Sequence, residues 1–153
     1  MSNLLQLIYM SRATFASTPG ARGVDPTVAR ILAKSRANNR QAGLAGVMVF
    51  GDGCFFQCLE GDAAVVDALY AKLERDDRHT DMVLISRCPI TRHSFSDWSM
   101  KYVMIDKALE RLLLERGHQS FDPYAFDAET TQALMKLLQV TESSDTPPAM
   151  VSL

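Results

Sequence analysis

The sequence predicts an α+β domain in which two helices pack on one face of a single β-sheet. Short apolar runs rich in β-branched and aromatic residues alternate with amphipathic helical segments. Their order along the chain is βαββαβ, followed by one further strand. The 153 residues suffice for one domain with a full core, and 47% hydrophobic and 22% charged residues are ordinary for a globular protein.

The first helix has clear start and stop signals. Asp25 is a favourable N-cap, and Pro26 suits the first helical position. We expect the helix to run to about Asn39 and to end within Gln41-Ala42-Gly43. One face is apolar and becomes polar towards its end. The residues of this face recur at spacings of three and four: Val28, Ile31, Leu32 and Ser35.

The strands are predicted from apolar runs that turn residues interrupt. They cover residues 4–10, 44–50, 54–60, 82–88 and 98–105, and 11–23 is predicted as a loop. Gly51-Asp52-Gly53 indicates a tight hairpin turn, and Gly61-Asp62 begins a second helix over about 63–76. This order indicates a ferredoxin-like domain with an added fifth strand. We expect its first and third strands to be central, adjacent and parallel.

Two C-terminal helices are predicted after the fifth strand, over 107–116 and 127–140, each with a stripe of leucines. One interpretation is that they cover the second face of the sheet, which the first two helices leave exposed. The other is that they form a subunit contact or a partner surface, and both can hold. We therefore expect a helical cap and output segment over 106–140. Residues 141–153 are rich in Ser, Asp and Pro, which predicts a disordered tail.

Charge and composition argue against several classes of protein. A net charge of −2 offers no basic excess for nucleic acid or an anionic membrane. The sequence shows neither a signal peptide nor a run of 18 apolar residues, so we expect a cytoplasmic protein. Cys54 and Cys58 would lie about 13 Å apart along one strand, too far for a disulfide. The cysteines and histidines lack zinc-site spacing, so no metal is expected.

One neutral amide interrupts the most apolar strand. Gln57 lies within Cys54-Phe55-Phe56-Gln57-Cys58-Leu59-Glu60-Gly61. A buried amide without partners costs roughly 1–3 kcal/mol, so Gln57 needs polar groups in the core. Backbone, water or a neighbouring hydroxyl could supply them. Strand alternation allows Tyr9 on the adjacent strand to face the same side, where its phenol could bond to the amide.

Two carboxamides, Asn38 and Asn39, close the first helix. The simpler interpretation is C-terminal capping, because Asn tolerates the left-handed conformation. The alternative is a binding site for a planar heterocycle with alternating carbonyl and N–H groups. Such a site would have apolar walls and a polar fringe. Its walls would be Ile31, Leu32, Phe55 and Leu69, and its fringe Tyr9, Gln57, Asn38 and Asn39.

Five motifs in this order together resemble the BLUF domain, a family of flavin-binding blue-light sensors, over about residues 3–105. They are Leu7-Ile8-Tyr9-Met10-Ser11, Ser35-Arg36-Ala37-Asn38-Asn39, Phe55-Phe56-Gln57-Cys58-Leu59-Glu60-Gly61, Asp77-Arg78-His79 and Phe95-Ser96-Asp97-Trp98-Ser99-Met100. The resemblance implies a ferredoxin-like photosensory domain that binds FAD non-covalently between its first two helices. FMN or riboflavin can replace FAD in such domains.

The resemblance also implies photochemical roles for four residues. Tyr9 matches the phenol that gives an electron and a proton to the excited flavin. Gln57 matches the amide that links this phenol to the flavin ring and rotates or tautomerises. Trp98 and Met100 match fifth-strand positions that switch or transmit the signal. We expect both to lie on the face of Gln57, with either one able to approach the flavin.

Further positions match residues that hold the flavin. Asn38 and Asn39 match positions at the polar edge of the ring, with Ser35 as a nearby support. Arg78 and His79 match a turn near the ribityl-phosphate side, where a positive charge suits a phosphate.

The residues after 105 are too few for a cyclase or a cyclic-di-GMP phosphodiesterase domain. The chain therefore resembles short family members, whose late helices act on separate signalling partners and often build homo-oligomers. Two other functions stay open. One is a small acyl-phosphatase-like enzyme using Arg78 and Asn39, although no glycine-rich phosphate loop precedes a helix and Gln57 would have no role. The other is a flavin-free interaction module.

Overall fold

The structure is a computed structural model that describes residues 3–16, 25–95 and 98–144. The strands are β1 Leu4–Ala13, β2 Ala45–Gly51, β3 Cys54–Asp62, β4 His79–Pro89 and β5 Lys101–Val103. The α-helices are α1 Pro26–Ala42, α2 Ala63–Leu73, α3 Lys107–Glu115 and α4 Ala128–Val140, with a 3-10 turn at Pro123–Ala125. The sheet order is β4-β1-β3-β2-β5. This arrangement confirms the predicted ferredoxin-like α+β fold with a fifth strand and two C-terminal helices.

The central strands β1 and β3 are adjacent, but they run antiparallel, so the expected parallel pairing is wrong. The reversal arises at the hairpin between β2 and β3. Asp52 and Gly53 both have positive φ, at 50° and 75°, as a tight two-residue turn requires. Helix α1 returns the chain so that β2 runs in the direction of β1, and the hairpin then reverses β3.

Helix α1 begins where the sequence predicts and ends later. The carboxylate of Asp25 accepts hydrogen bonds from the backbone N–H groups of Thr27 (2.8 Å) and Val28 (3.3 Å). At the other end Gly43 is the C-cap, with φ of 72°. Asn38 and Asn39 therefore lie inside the helix, and the capping interpretation of these two residues is wrong.

Each face of the sheet has its own apolar core. Helices α1 and α2 cover one face, where Leu7, Leu32, Leu59 and Val66 belong to a single buried cluster. Helices α3 and α4 cover the other face through a second cluster, which includes Val47, Phe56, Leu109 and Leu138. The interpretation of the late helices as a cover for the second face is confirmed.

Strand β5 is shorter than the predicted 98–105 and pairs in parallel with β2. Trp98 precedes it, so regular alternation from Trp98 to Met100 does not apply. The strand starts late because side chains of α1 bind the backbone carbonyls of the two residues before it. Asn39 Nδ2 donates to the Ser99 carbonyl (2.7 Å), and Arg36 Nε donates to the Met100 carbonyl (2.8 Å). These bonds tie the segment to α1 and bend it before the strand begins.

The residues after α4 continue along the edge of β5. Ser144 donates its N–H to the Tyr102 carbonyl (2.7 Å), and the Ser143 hydroxyl contacts the backbone of the same residue. Most of the predicted tail, 145–153, lies outside the described residues. So do 17–24 of the predicted loop and the motif positions Ser96 and Asp97.

Cys54, Cys58 and Cys88 are free thiols. Within the described ranges no group of three or more His, Cys, Asp or Glu side chains could hold a metal ion. None of the helices described combines the length and the apolarity needed to cross a membrane.

Candidate functional site

Two adjoining cavities form one cleft between α1 and α2, which we call the α1–α2 cleft. The larger cavity has a volume of about 300 Å³. Its floor is the central part of the sheet, and its mouth is the turn after α2. Residues that line both cavities are Ile31, Ser35, Gln57, Leu73, Asp76 and Arg78. The inner end adds Tyr9, Met48, Phe55 and His79, and the outer end adds Lys34, Asn38, Asn39, Leu69, Lys72 and Arg75.

Tyr9 and Gln57 meet at the inner end of the cleft. They stand directly opposite each other on β1 and β3, and the phenol donates a hydrogen bond to Gln57 Oε1. Both side chains are buried, at 3% and 4% exposure. Burial raises the pKa of the Tyr9 phenol well above its usual range, with smaller contributions from Asp76 and Tyr70. The phenol is therefore protonated at ordinary pH and can donate to the amide.

The other end of the Gln57 amide faces Met100. Nε2 lies 3.9 Å from the Met100 sulfur, and Met100 is fully buried. A thioether is a weak acceptor, so this contact satisfies the amide nitrogen poorly. Because Gln57 lines the cleft, its nitrogen retains donor capacity beside an open space.

His79 fixes the wall of the cleft next to Tyr9. Its Nε2 donates to the Leu73 carbonyl at the end of α2 (2.6 Å), and its Nδ1 bonds to Ser11 Oγ (2.7 Å). The imidazole lies edge-on to the Tyr9 ring, with 6.3 Å between ring centroids. His79 thus ties α2 to β1 and limits the positions that the phenol can take.

An ion pair lies at the mouth of the cleft. The Arg78 guanidinium donates twice to Asp76, through Nε (2.9 Å) and Nη2 (2.5 Å). These bonds lower the pKa of Asp76 to about 2, and the backbone N–H of Arg78 adds to the effect. Asp76 therefore carries a negative charge under all ordinary conditions and holds Arg78 in place.

Most of the predicted site residues line this cleft. They are Tyr9, Ile31, Ser35, Asn38, Asn39, Phe55, Gln57, Leu69, Arg78 and His79. Leu32 instead belongs to the buried core. Trp98 is half-buried before β5 and lines neither cavity, whereas Met100 lies against Gln57.

The sequence-based prediction missed several lining residues: Lys34, Met48, Lys72, Leu73, Arg75 and Asp76. Three of them, Lys72, Arg75 and Asp76, are charged residues of one segment at the end of the second helix. This segment is Lys72-Leu73-Glu74-Arg75-Asp76-Asp77-Arg78. Such a run is typical of any solvent-exposed turn, and only the fold places it beside α1.

The two residues required by the acyl-phosphatase alternative are both engaged elsewhere. Arg78 pairs with Asp76, and the Asn39 amide donates to the Ser99 carbonyl. Nothing in this arrangement supports that alternative.

The comparisons with known proteins agree with the geometry. A sequence profile described as BLUF, sensors of blue-light using FAD, matches residues 4–101. The chain belongs to the BLUF family. As a BLUF protein it is a flavin-binding blue-light photoreceptor, and the hydrogen-bonded Tyr9 and Gln57 both lie within the matched residues.

Solved BLUF structures resemble the chain over most of its length. The ground state of BlsA is 30% identical, with a TM-score of 0.83 over 97% of this chain and 98% of BlsA. The dark state of BlrB, a BLUF protein, is 28% identical, with a TM-score of 0.71 over 91% of this chain and 97% of BlrB.

A curated relative is much longer. The photoactivated adenylate cyclase subunit beta of Euglena longa is 30% identical over 106 residues. The match covers 69% of this chain but only 12% of the relative. The likeness to this cyclase is therefore confined to a small part of it.

Proposed function

We propose that the α1–α2 cleft holds the flavin ring and that Tyr9 and Gln57 are its photochemical pair. The observation that carries this proposal is the hydrogen bond from the Tyr9 phenol to Gln57 Oε1 at the inner end of the cleft. It links the most oxidisable side chain of the site to an amide that can contact a ligand.

The lining of the cleft fits a flavin. Apolar walls from Ile31, Phe55 and Leu69 suit a planar ring system, and carboxamides suit its carbonyl and N–H edge. The strongest indication of a ligand is the incomplete hydrogen bonding of Gln57 Nε2. Among the described residues, its hydrogen-bond acceptor is the Met100 thioether, which is a weak one. A ring nitrogen or carbonyl would complete the hydrogen bonding of this buried amide.

A bound flavin supplies, under blue light, an excited state that accepts an electron. Tyr9 then gives up an electron, and its Oη proton moves along the hydrogen bond to Gln57. An electron and a proton then return to Tyr9, and Gln57 is left with a rotated amide, or as the tautomer if Oε1 keeps the proton from Tyr9 and an Nε2 proton returns in its place. An amide can store this change because its oxygen accepts and its nitrogen donates, so the two arrangements differ in their hydrogen bonds.

The charges at the mouth support a phosphate-bearing flavin, and we propose FAD as the native cofactor. Lys34, Lys72 and Arg75 line the outer end, whereas Asp76 already neutralises Arg78. Cationic side chains can hold phosphate groups that riboflavin lacks. FMN would use the same charges and remains the second candidate.

We propose residues 3–105 as the photosensory unit and 106–140 as both the cover of the sheet and the output segment. Leu114 on α3 is 66% exposed and Val140 on α4 is 80% exposed. Exposed apolar side chains on these helices suit contacts with a separate signalling protein or with other copies of the chain. The buried free thiols of Cys54 and Cys58 suit a reducing compartment, which supports action in the cytoplasm.

Absorption spectroscopy tests the proposal directly. The purified protein should be yellow, and blue light should shift its flavin band reversibly to the red. Cofactor extraction identifies the flavin, and a pull-down compared in light and darkness identifies the partner. A preparation that cannot take up flavin would overturn the proposal.

A further inference from the structure

A groove runs between α4 and the strands β1 and β4, on the face of the sheet away from the α1–α2 cleft. We call it the α4 groove, and its volume is about 830 Å³. Ile85 of β4 and Met135 of α4 line it and are only half-buried. The cover that α3 and α4 give to this face therefore leaves apolar surface open beside β4.

Helix α4 and its N-cap present one side to this groove. The helix buries a different side against the sheet, with Leu134 and Leu138 in the core. The residues that face the groove recur at intervals of three and four, as one side of a helix requires. Six of them are Asp127, Ala128, Thr131, Gln132, Met135 and Lys136.

The charges on this side are complementary to those of a second, antiparallel α4. With a two-fold axis between Thr131 and Gln132, Asp127 of each copy stands opposite Lys136 of the other. Hydrogen bonds from the side chain and backbone of Thr130 lower the pKa of Asp127, so its carboxylate is charged. Lys136 is exposed, and no ion pair among the described residues includes it. Its ammonium is therefore available to a carboxylate of another chain.

Side-chain sizes agree with the same register. Ala128 of each copy stands opposite Met135 of the other, so that a small side chain receives a large and flexible one. Moving one helix by a turn, about 5.4 Å, would separate Asp127 from Lys136. The charges and the sizes on this side of α4 therefore favour the same register.

We propose that the α4 groove is a dimer interface, in which the α4 helices of two copies lie antiparallel and side by side. Each α4 then covers apolar surface of the other copy at Ile85 and Ile90, which line the groove. The contact is isologous, so it closes at two subunits. It names a second copy as a partner of residues 106–140, and in that respect it rests on the proposed function.

Sedimentation velocity of the flavin-loaded wild-type chain in darkness tests the interface. The sedimentation coefficient should rise with concentration to that of a dimer, and high salt should weaken the dimer because it screens exposed ion pairs. A chain that stays monomeric at every concentration would leave the groove to another protein and overturn the inference. The red shift is recorded on the same sample. Its absence from a normal dimer would contradict the proposed photochemistry and still support the interface.

Charge reversal at Lys136 tests whether the copies meet through α4. Lys136→Glu turns two attractive contacts into two repulsive ones, so the Kd of the dimer should rise about tenfold or more. Lys107→Glu is the matched control, because it makes the same change at an exposed position of α3 and should leave the Kd unchanged. A wild-type Kd in Lys136→Glu would show that the copies meet elsewhere and would overturn the inference.

A double-mutant cycle tests the register. Asp127→Asn keeps a favourable N-cap but removes the charge, and Lys136→Gln removes the charge of its partner. Each variant alone should weaken the dimer, and the two together should weaken it little further, because both remove the same ion pairs. Additive losses would show that Asp127 and Lys136 do not pair across the interface and would overturn the proposed register.

Discussion

Tyr9 and Gln57 are directly opposite each other on antiparallel strands, and the phenol donates to the amide oxygen. The two ends of the Gln57 amide have hydrogen-bond partners of different strength. The oxygen of Gln57 has a phenol that burial keeps protonated, whereas its nitrogen faces a thioether at 3.9 Å. The pair is therefore held firmly on the tyrosine side and weakly on the side that we assign to the flavin.

Replacement of Tyr9 by Phe should abolish the red shift without abolishing flavin binding. The ring still fills the wall of the cleft, but the phenolic donor is gone, and stability should fall by about 1 kcal/mol with the lost hydrogen bond. Tyr70→Phe is the control, because Tyr70 packs edge-on against Tyr9 at 5.8 Å. A normal photoproduct in Tyr9→Phe, recorded by difference absorption, would contradict the assignment.

Replacement of Gln57 by Leu should also remove the red shift, for a different reason. Flavin excitation and the Tyr9 donor remain, but no amide is left to rearrange. The Tyr9 phenol then lacks its partner in the core, so unfolding should become easier by roughly 1–3 kcal/mol, measurable in urea. Gln41→Leu, at an exposed position of α1, serves as the control. An unchanged photocycle would remove Gln57 from the mechanism.

Met100 and Trp98 should differ in their effect on recovery in darkness. Met100→Leu conserves volume, costs less than about 1.5 kcal/mol and removes the sulfur beside Gln57 Nε2, so the recovery rate should change. Trp98→Phe should leave the rate close to that of the wild type, because Trp98 lines neither cavity of the cleft. The opposite pattern in flash absorption would show that Trp98 rather than Met100 is coupled to the amide.

The charges at the mouth should discriminate between flavins. The double variant Lys72→Gln, Arg75→Gln should bind FMN and FAD several-fold more weakly, since each exposed charge contributes about 0.2–1 kcal/mol. Its affinity for riboflavin should not change. The matched control is Lys107→Gln, Arg111→Gln, two exposed positions on α3. Titration of the three flavins at low and high salt measures the effect, and equal losses for riboflavin would refute a phosphate contact.

Gly46 should be intolerant of a side chain. A Cβ atom there would lie 2.2 Å from the Cys58 carbonyl oxygen, which belongs to the adjacent central strand. Gly46→Ala should therefore lower the free energy of unfolding by at least about 1–3 kcal/mol. Gly61→Ala is the comparison, because its Cβ would meet mainly the Leu44 side chain, which can move. We expect Gly46→Ala to be the less stable of the two variants, and equal urea midpoints would contradict this expectation.

Local signals in the sequence predicted much of the fold. Asp25 caps α1, and Gly51-Asp52-Gly53 forms the hairpin turn. Both roles depend only on residues close in sequence, so they can be inferred without the tertiary structure. Strand order and alternation also predicted that Tyr9 and Gln57 face the same side of adjacent strands, but their direct opposition depends on the antiparallel register. The antiparallel direction itself follows only when the helix crossing and the hairpin are considered together.

Tertiary hydrogen bonds explain where sequence-based prediction failed. The start of β5 depends on Asn39 and Arg36, which lie about 60 residues earlier and take the carbonyls of Ser99 and Met100. Lys72 looks like any exposed lysine until α1 and α2 are placed side by side. Nothing in the spacing of residues indicates that Lys101, on a strand of only three residues, caps a helix.

The burial of Tyr9 also keeps its phenol protonated as the pH changes. Its phenol would ordinarily release its proton near pH 10, and desolvation raises that pKa further. The donor therefore stays intact in acidic and alkaline surroundings alike. We therefore expect deprotonation of Tyr9 to contribute nothing to any pH dependence of the optical signal under physiological conditions.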